Sequence, residues 1–397
     1  MRFQSVLPVA VSLLASASVP LSAGTLYLST AGNDSSPCTS SRPCATIQHA
    51  STLAQPGDTV LVAAGTYSGS FKTRASGTAS GYITYKAVSA DFSQPVNCAQ
   101  VAANHESLSS CAQILPGTES TWVNSGDYVI IQGFDVTGPP GCCNAIGASG
   151  AADQIIGNHV HNAQNSNGCP AMGGAGIAVN GPNMRVIGNY VHNNGPYPAH
   201  CDYIQGIYVS LSTKEASGVI VENNISFDNS GWGIQLWHNA TNETLVNNTL
   251  FNNLSGGIVV GASSATDDST IVSNNISFNN CIGIAEEGKT GTRNTYTDNL
   301  VYQNPGPSLG CRKSHDNISL QNGNTATGTV SADPQFIHFT GDSTGDYHLR
   351  PNSPATSKNP RTHAPSDDFD GKARASIAGR PDITLGAYDA VLRADPQ

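Results

Sequence analysis

Charge is scarce in this chain. Only 12% of its 397 residues are Asp, Glu, Lys or Arg, against about a quarter in an average soluble protein. Cations are the scarcer half, 18 against 28 acids, for a formal charge of −10. A phosphate backbone needs a stripe of Lys and Arg, so a nucleic-acid partner is excluded. Helical periodicity is nearly absent, which excludes bundles and doubly wound sheets. Beyond the N-terminus no apolar run approaches a membrane span. The cysteines show no Cys-x-x-Cys or Cys/His zinc spacing.

The first residues have a separate purpose. Arg2, the apolar stretch Val6 to Leu14 and the small residues to Ala23 form a secretory signal pattern, assigned to residues 1–23. Export fits the ten cysteines, which in an oxidising compartment read as disulfides. Cys38 with Cys44, and Cys98 with Cys111, are spaced to close local loops. The expected product is a secreted or periplasmic monomer with one domain over residues 24–390.

Glycine (41 residues) and asparagine supply turns, and they recur with a period. Ile155-Ile156-Gly157-Asn158, Val186-Ile187-Gly188-Asn189 and Val221-Glu222-Asn223-Asn224 share one phrase. It continues at Leu245-Val246-Asn247-Asn248, Ile271-Val272-Ser273-Asn274-Asn275 and Tyr296-Thr297-Asp298-Asn299. A second phrase follows most of them: Gly176-Ile177, Gly206-Ile207, Gly233-Ile234, Gly257-Ile258, Gly283-Ile284. Coils of roughly 24 residues that hold short strands and no helix stack as a parallel solenoid. Asn at equivalent turns is expected to form an amide ladder that pairs buried polar groups.

The expected fold is therefore all-β, a right-handed parallel β-helix. A helix and turn at residues 45–57 cap its N-terminal end. Regular coils run over 127–322, and a C-terminal cap covers 323–390. These phrases resemble the exported proteins with the pectate-lyase-type right-handed β-helix, from about Leu26 to Tyr388. The resemblance implies a carbohydrate-active role, most directly polysaccharide lyase activity on this superfamily's scaffold. The calcium-dependent pectate lyases carry Asn-Ser-Asp-Asp-Gly after the coil Asn. Here the stretch is Asn229-Ser230-Gly231-Trp232-Gly233, without that acidic pair. Chondroitinase B and the related alginate lyases place Glu-x-Glu before Lys-Ser, where this chain has Glu286-Glu287-Gly288-Lys289.

Alternation along each Gly-Ile strand puts two columns on the outer face. One contains Ala178, Tyr208 and Gln235; the other contains Asn180, Ser210, Trp237 and Glu287. Rings stack on sugar C–H faces while amides bond hydroxyls, so Tyr208, Gln235, Trp237 and Asn180 are candidate binding residues. His200 and Asp202 lie in a long cysteine-bearing loop at the rim. Cys142, Cys143, Cys169 and Cys201 should build one wall of stacked loops, and Cys281 with Cys311 should join the next coils. For β-elimination a base takes a proton while a cation or metal neutralises a carboxylate. Lys289, His238 and Glu287 are the catalytic candidates. Glu286 and Glu287 would hold calcium, the expected cofactor, and Arg293 or Arg312 would meet the substrate's carboxylate. Hydrolysis needs two carboxylates across a cleft; Asp202 and Glu287 are separated by ~14 Å of axial rise. The expectation is an extracellular uronate polysaccharide cleaved by β-elimination. Hydrolysis or epimerisation is the enzymatic alternative, and a non-catalytic carbohydrate-binding or surface protein is the rival of another class.

Overall fold

A computed structural model describes residues 23–166, 168–169, 173–306, 309, 311, 317–356, 363–374 and 384–390, with the backbone alone for 211–216. The signal-peptide assignment thus falls, but for Ala23, outside the described residues, and so does Arg312. Parallel strands wind into three sheets of eleven, nine and nine strands. One turn of the coil runs through a strand of each sheet in order. Gly174–Val179, for example, is followed by Arg185–Ile187 and Tyr190–His192 before the chain returns to the first sheet at Ile204–Ser217. The first of these sheets will be called the cleft sheet, the second the eleven-stranded sheet and the third the tail-covered sheet.

The repeated phrases explain this path. In Gly157-Asn158, Gly188-Asn189, Asn223-Asn224, Asn247-Asn248, Asn274-Asn275 and Asp298-Asn299, the first residue has a φ between 55° and 62°. Gly, Asn and Asp are the residues that tolerate this left-handed region, and one such residue turns the corner. The second residue faces inward and bonds its counterpart on the next coil. Asn158 Nδ2 donates to Asn189 Oδ1 at 3.0 Å, and the chain of bonds continues through Asn224, Asn248 and Asn275 to Asn299. The neighbouring backbone N–H donates to the same oxygen.

A second ladder lies five residues further along each coil. Asn194, Asn229, Asn253 and Asn280 link in the same way, and Asn304 continues to Asn317. Its corner residues are Asn193, Asp228, Asn252, Asn279 and Gln303, again at positive φ. Inside the cleft sheet the core is a column of aligned isoleucines. Ile146, Ile177, Ile207, Ile234, Ile258 and Ile284 pair coil to coil and are fully buried.

The ends depart from the expected boundaries. The helix Ile47–Leu53 forms, capped by Thr46, whose hydroxyl accepts from His49 N at 3.1 Å. It buries Ile47 and Ala50 over the first strands. Parallel pairing already begins at Thr25–Leu28, ahead of residue 127. The early coils carry longer insertions, including a second helix, Cys98–Ala103, and these obscure the period. The described tail lies along the flank of the stack. Phe336, Tyr347, Phe369 and Tyr388 cover the outward residues Tyr190, Phe227, Phe251 and Phe278 of the tail-covered sheet.

Five disulfides form among the described residues. Cys38–Cys44, Cys98–Cys111 and Cys281–Cys311 follow the expected pairings. In the loop wall only Cys169–Cys201 joins two loops, because Cys142 pairs with its neighbour Cys143. No described helix is long and apolar enough to cross a membrane.

The ladder yields a stability prediction. Asn248 Nδ2 donates to Val221 O and Asn275 Oδ1, while its Oδ1 accepts from Asn224 N and Nδ2. Asn248→Ala strands these groups in the core, at about 1–3 kcal/mol for each unpaired group. We expect a loss of at least ~3 kcal/mol, measured as a fall in the urea midpoint at an unchanged slope. A midpoint that does not move would contradict the structural role of the ladder.

Candidate functional site

The cleft sheet presents its outer face where the expected columns lie. Ala178 aligns with Tyr208 and Tyr208 with Gln235, while Ser210 aligns with Trp237. Beyond Gln235 the first column becomes Val259 and Ala285, buried beneath Trp232 and Ile282. This small apolar cluster closes one side of the floor. Trp237 occupies a recess made by two glycines on the following coils. A Cβ at Gly261 or at Gly288 would stand 3.0 Å from its ring.

Loops preceding the strands raise the opposite wall. Gln205 fastens the Cys201 loop by accepting from Trp232 N at 2.6 Å and donating to Asp202 O at 2.5 Å. The loop leans forward far enough for Asp202 Oδ1 to accept from Ser255 Oγ at 2.6 Å. His200 Nε2 lies 3.0 Å from the same carboxylate oxygen and 3.2 Å from Ser255 Oγ. Asp202 and Ser255 both meet Nε2, so the three do not form a nucleophile relay, in which the acid holds the other ring nitrogen. They make a compact hydrogen-bonded cluster at the rim.

Floor and wall enclose a cleft of about 730 Å³. It is lined by Asn180, His200, Asp202, Tyr208, Gln235, Trp237, His238 and Glu287, which the sequence had singled out. Asn144, Tyr203, Gln205, Trp232 and Ser255 also line it. These lie outside the repeated Gly-Ile phrases or before the aligned strands, so periodicity carried no signal for them. Burial holds the Tyr208 phenol above its ordinary pKa, partly offset by a hydrogen bond with Ser210. Gln235 Oε1 is buried on the floor with no partner. His238 lies close by, its ring centroid 6.4 Å from that of Tyr208 and its Nδ1 3.0 Å from Ser263 Oγ.

Several expected site residues lie elsewhere. Glu286 points inward because neighbours on a strand face opposite ways. It is buried, and its carboxylate accepts from Asn294, Tyr296 Oη, Gln321 N and Asn324. The Glu286–Glu287 calcium pair is therefore not assembled. Calcium takes six to eight oxygens, and Glu287 alone of the pair reaches the cleft. Lys289 is exposed and outside the cleft lining. Arg293 is turned to Asp268, with Nε 2.7 Å and Nη2 2.6 Å from Oδ2. Among the described lining residues there is no Lys or Arg.

The separation of Asp202 and Glu287 changes in kind. The forward lean brings Asp202 to the coil of Ser255, which removes most of the axial rise. However, Glu287 pairs with Gly261, six positions past Ser255, or roughly 20 Å along the strand. The two carboxylates occupy opposite ends of the cleft.

Glu286 belongs to an interior group of carboxylates behind this floor. Asp267 is fully buried, accepts from Thr270 Oγ1 at 2.7 Å, and has Oδ2 unpartnered. Burial pushes its carboxyl up to about 7, with the nearby Glu286 charge adding to the rise against the Thr270 bond. Glu243, which accepts from Val219 N, is pushed up by burial as well.

The family described as right handed beta helix region matches residues 121–274. A family described as a protein of unknown function, DUF1565, matches residues 30–74. No curated protein matches the sequence. Among solved structures, pectate lyase Pel9A superposes with a TM-score of 0.56 at 17% identity, covering 92% of this chain and 96% of its own. A rhamnogalacturonan lyase gives 0.50 at 15% identity, covering 92% and 96%. The chain has the right-handed parallel β-helix fold.

Two predictions arise from this site. Trp237→Ala removes a stacking face without touching the core. We expect it to weaken oligosaccharide binding about tenfold with no change in Tm, by titration calorimetry and thermal unfolding. The second concerns Asp267. Its folded-state pKa lies above its unfolded value, so the fold holds a proton that the unfolded chain releases. The corresponding stability is complete below pH ~4 and lost as pH rises through about 7. Asp267→Asn should therefore raise Tm at pH 8 and leave it nearly unchanged at pH 4. An equal shift at both pH values would rule out the linkage.

Proposed function

We propose that this chain is an exported enzyme that cleaves a uronate-containing polysaccharide by metal-independent β-elimination in the Tyr208–His238 cleft. The carrying observation is the floor itself: a phenol whose pKa burial raises, side-chain amides at Gln235 and Asn180, and an imidazole nearby. Elimination needs one base, one acid and donors to the carboxylate next to the acidic C–H. In this reading His238 takes the C5 proton and the C–H electron pair forms the C4–C5 double bond. The C4–O bond breaks, and Tyr208 protonates the departing oxygen. Amide N–H groups of Gln235 and Asn180 bond the uronate carboxylate, whose charge grows in the transition state. Such donors suit a lining in which no described Lys or Arg takes part. Trp237 and Tyr203 stack on flanking sugars, and His200 with Asp202 binds hydroxyls at the rim. Export is supported by the disulfides. Two structures of the same fold also carry lyase names.

The test is a screen of purified protein against uronate polymers, read by absorbance of the unsaturated product. Absorbance should rise equally with and without a calcium-selective chelator. Tyr208→Phe and His238→Ala should each lower kcat about 10²- to 10⁴-fold. New reducing ends without absorbance would replace this reading with hydrolysis. Binding with neither product would replace it with a carbohydrate-binding role.

A further inference from the structure

A second cluster of chemistry-bearing side chains lies on the tail-covered sheet, away from the cleft. Asp135 in the strand Asp135–Thr137 pairs directly with His159 in the strand His159–His161 on the next coil. Side chains at alternate positions share one face, so His161 joins them there. One Asp135 oxygen and one nitrogen of each ring lie within 4.8 Å of one another. Asp135 Oδ1 is 2.8 Å from His159 Nδ1 and 3.1 Å from His161 Nε2. Ligands held at ~2.0–2.1 Å around a tetrahedral ion stand about 3.3 Å apart, close to this spacing.

His159 is the informative member. It is 5% exposed, and its Nδ1 makes no hydrogen bond although the carboxylate is 2.8 Å away. Its other nitrogen, Nε2, meets His192 Nε2 at 2.8 Å. His192 Nδ1 is in turn 2.5 Å from Asn193 Oδ1; in the tautomer that donates there, His192 Nε2 accepts and His159 Nε2 donates. A neutral His159 then directs a bare Nδ1 lone pair at an anionic oxygen. In that tautomer a cation between the nitrogen and the oxygen is what makes the 2.8 Å contact attractive.

We infer that Asp135, His159 and His161 bind one first-row divalent ion, with zinc the best match to two imidazoles and a carboxylate. Outer contacts hold each ligand, as metal sites require. Gln113 Nε2 donates to Asp135 Oδ2 at 3.3 Å, and His192 holds His159. The Asn162 amide stands 2.8 Å from His161 Nδ1 and accepts from it once turned over. The ion fastens two successive coils beneath the helix Cys98–Ala103, and its role is structural.

The test begins with the intact protein, dialysed against dipicolinate and titrated with Co²⁺. The expected result is a visible absorption band saturating at about one equivalent, and a rise in Tm when Zn²⁺ replaces it. His161→Gln, at the partly open edge of the cluster, should keep the fold by circular dichroism and lose the band; Asp135→Asn should do the same. No saturable band and no Zn²⁺-dependent Tm shift in the parent protein would overturn the site in favour of a metal-free hydrogen-bonded cluster. An unchanged band in either folded variant would also overturn it, by placing the bound ion elsewhere.

Discussion

The rest of this molecule depends on the amide-to-amide hydrogen bond between asparagines of successive coils. A parallel coil has to turn tightly, and each turn carries polar backbone groups into the core. An unpaired buried amide costs more than a typical hydrogen bond contributes, so the turns need internal partners. Asn224 shows the solution: its oxygen serves the coil before it and its amide reaches Asn248 on the coil after. Two such ladders, one on each flank of the tail-covered sheet, set the strands in register. That register aligns the isoleucine column.

The same stacking constructs the cleft. Strict registry places Tyr208 beside Gln235 and Ser210 beside Trp237, while small residues on later coils leave Trp237 its recess. A repeated scaffold cannot enclose a cleft by itself, since its faces are open. Enclosure comes from insertions that break the period, held by Cys169–Cys201 and by Gln205. Rigid coil and irregular loop thus have separate tasks, as in other folds that carry their chemistry on loops.

The scarcity of charge also has a structural meaning. Several of the few carboxylates are inside, where Glu286 receives four donors and Asp267 is held near neutrality by burial. Others are paired, as Asp268 is with Arg293. Few charges remain to line the cleft, so its recognition chemistry is mainly aromatic and amide. Such a surface suits sugar rings and hydroxyls, and it shifts the proposed acid–base work to Tyr208 and His238.

The amino-acid sequence by itself determined the coil, the first Asn ladder, the inward isoleucines and the outward Tyr208–Gln235 and Trp237 positions. Each of these follows from a local period, and a period survives translation from one coil to the next. The second ladder was equally legible, since Asn recurs five residues after every first-ladder Asn from Asn189 to Asn299. The alternation that turns Glu287 outward also turns Glu286 inward, whereas the tertiary structure alone decided that Arg293 turns to Asp268 and that Asp202 leans forward to Ser255. These outcomes depend on where aperiodic loops come to rest. No repeat in the sequence encodes them, because they are set by contacts between segments that have no common period.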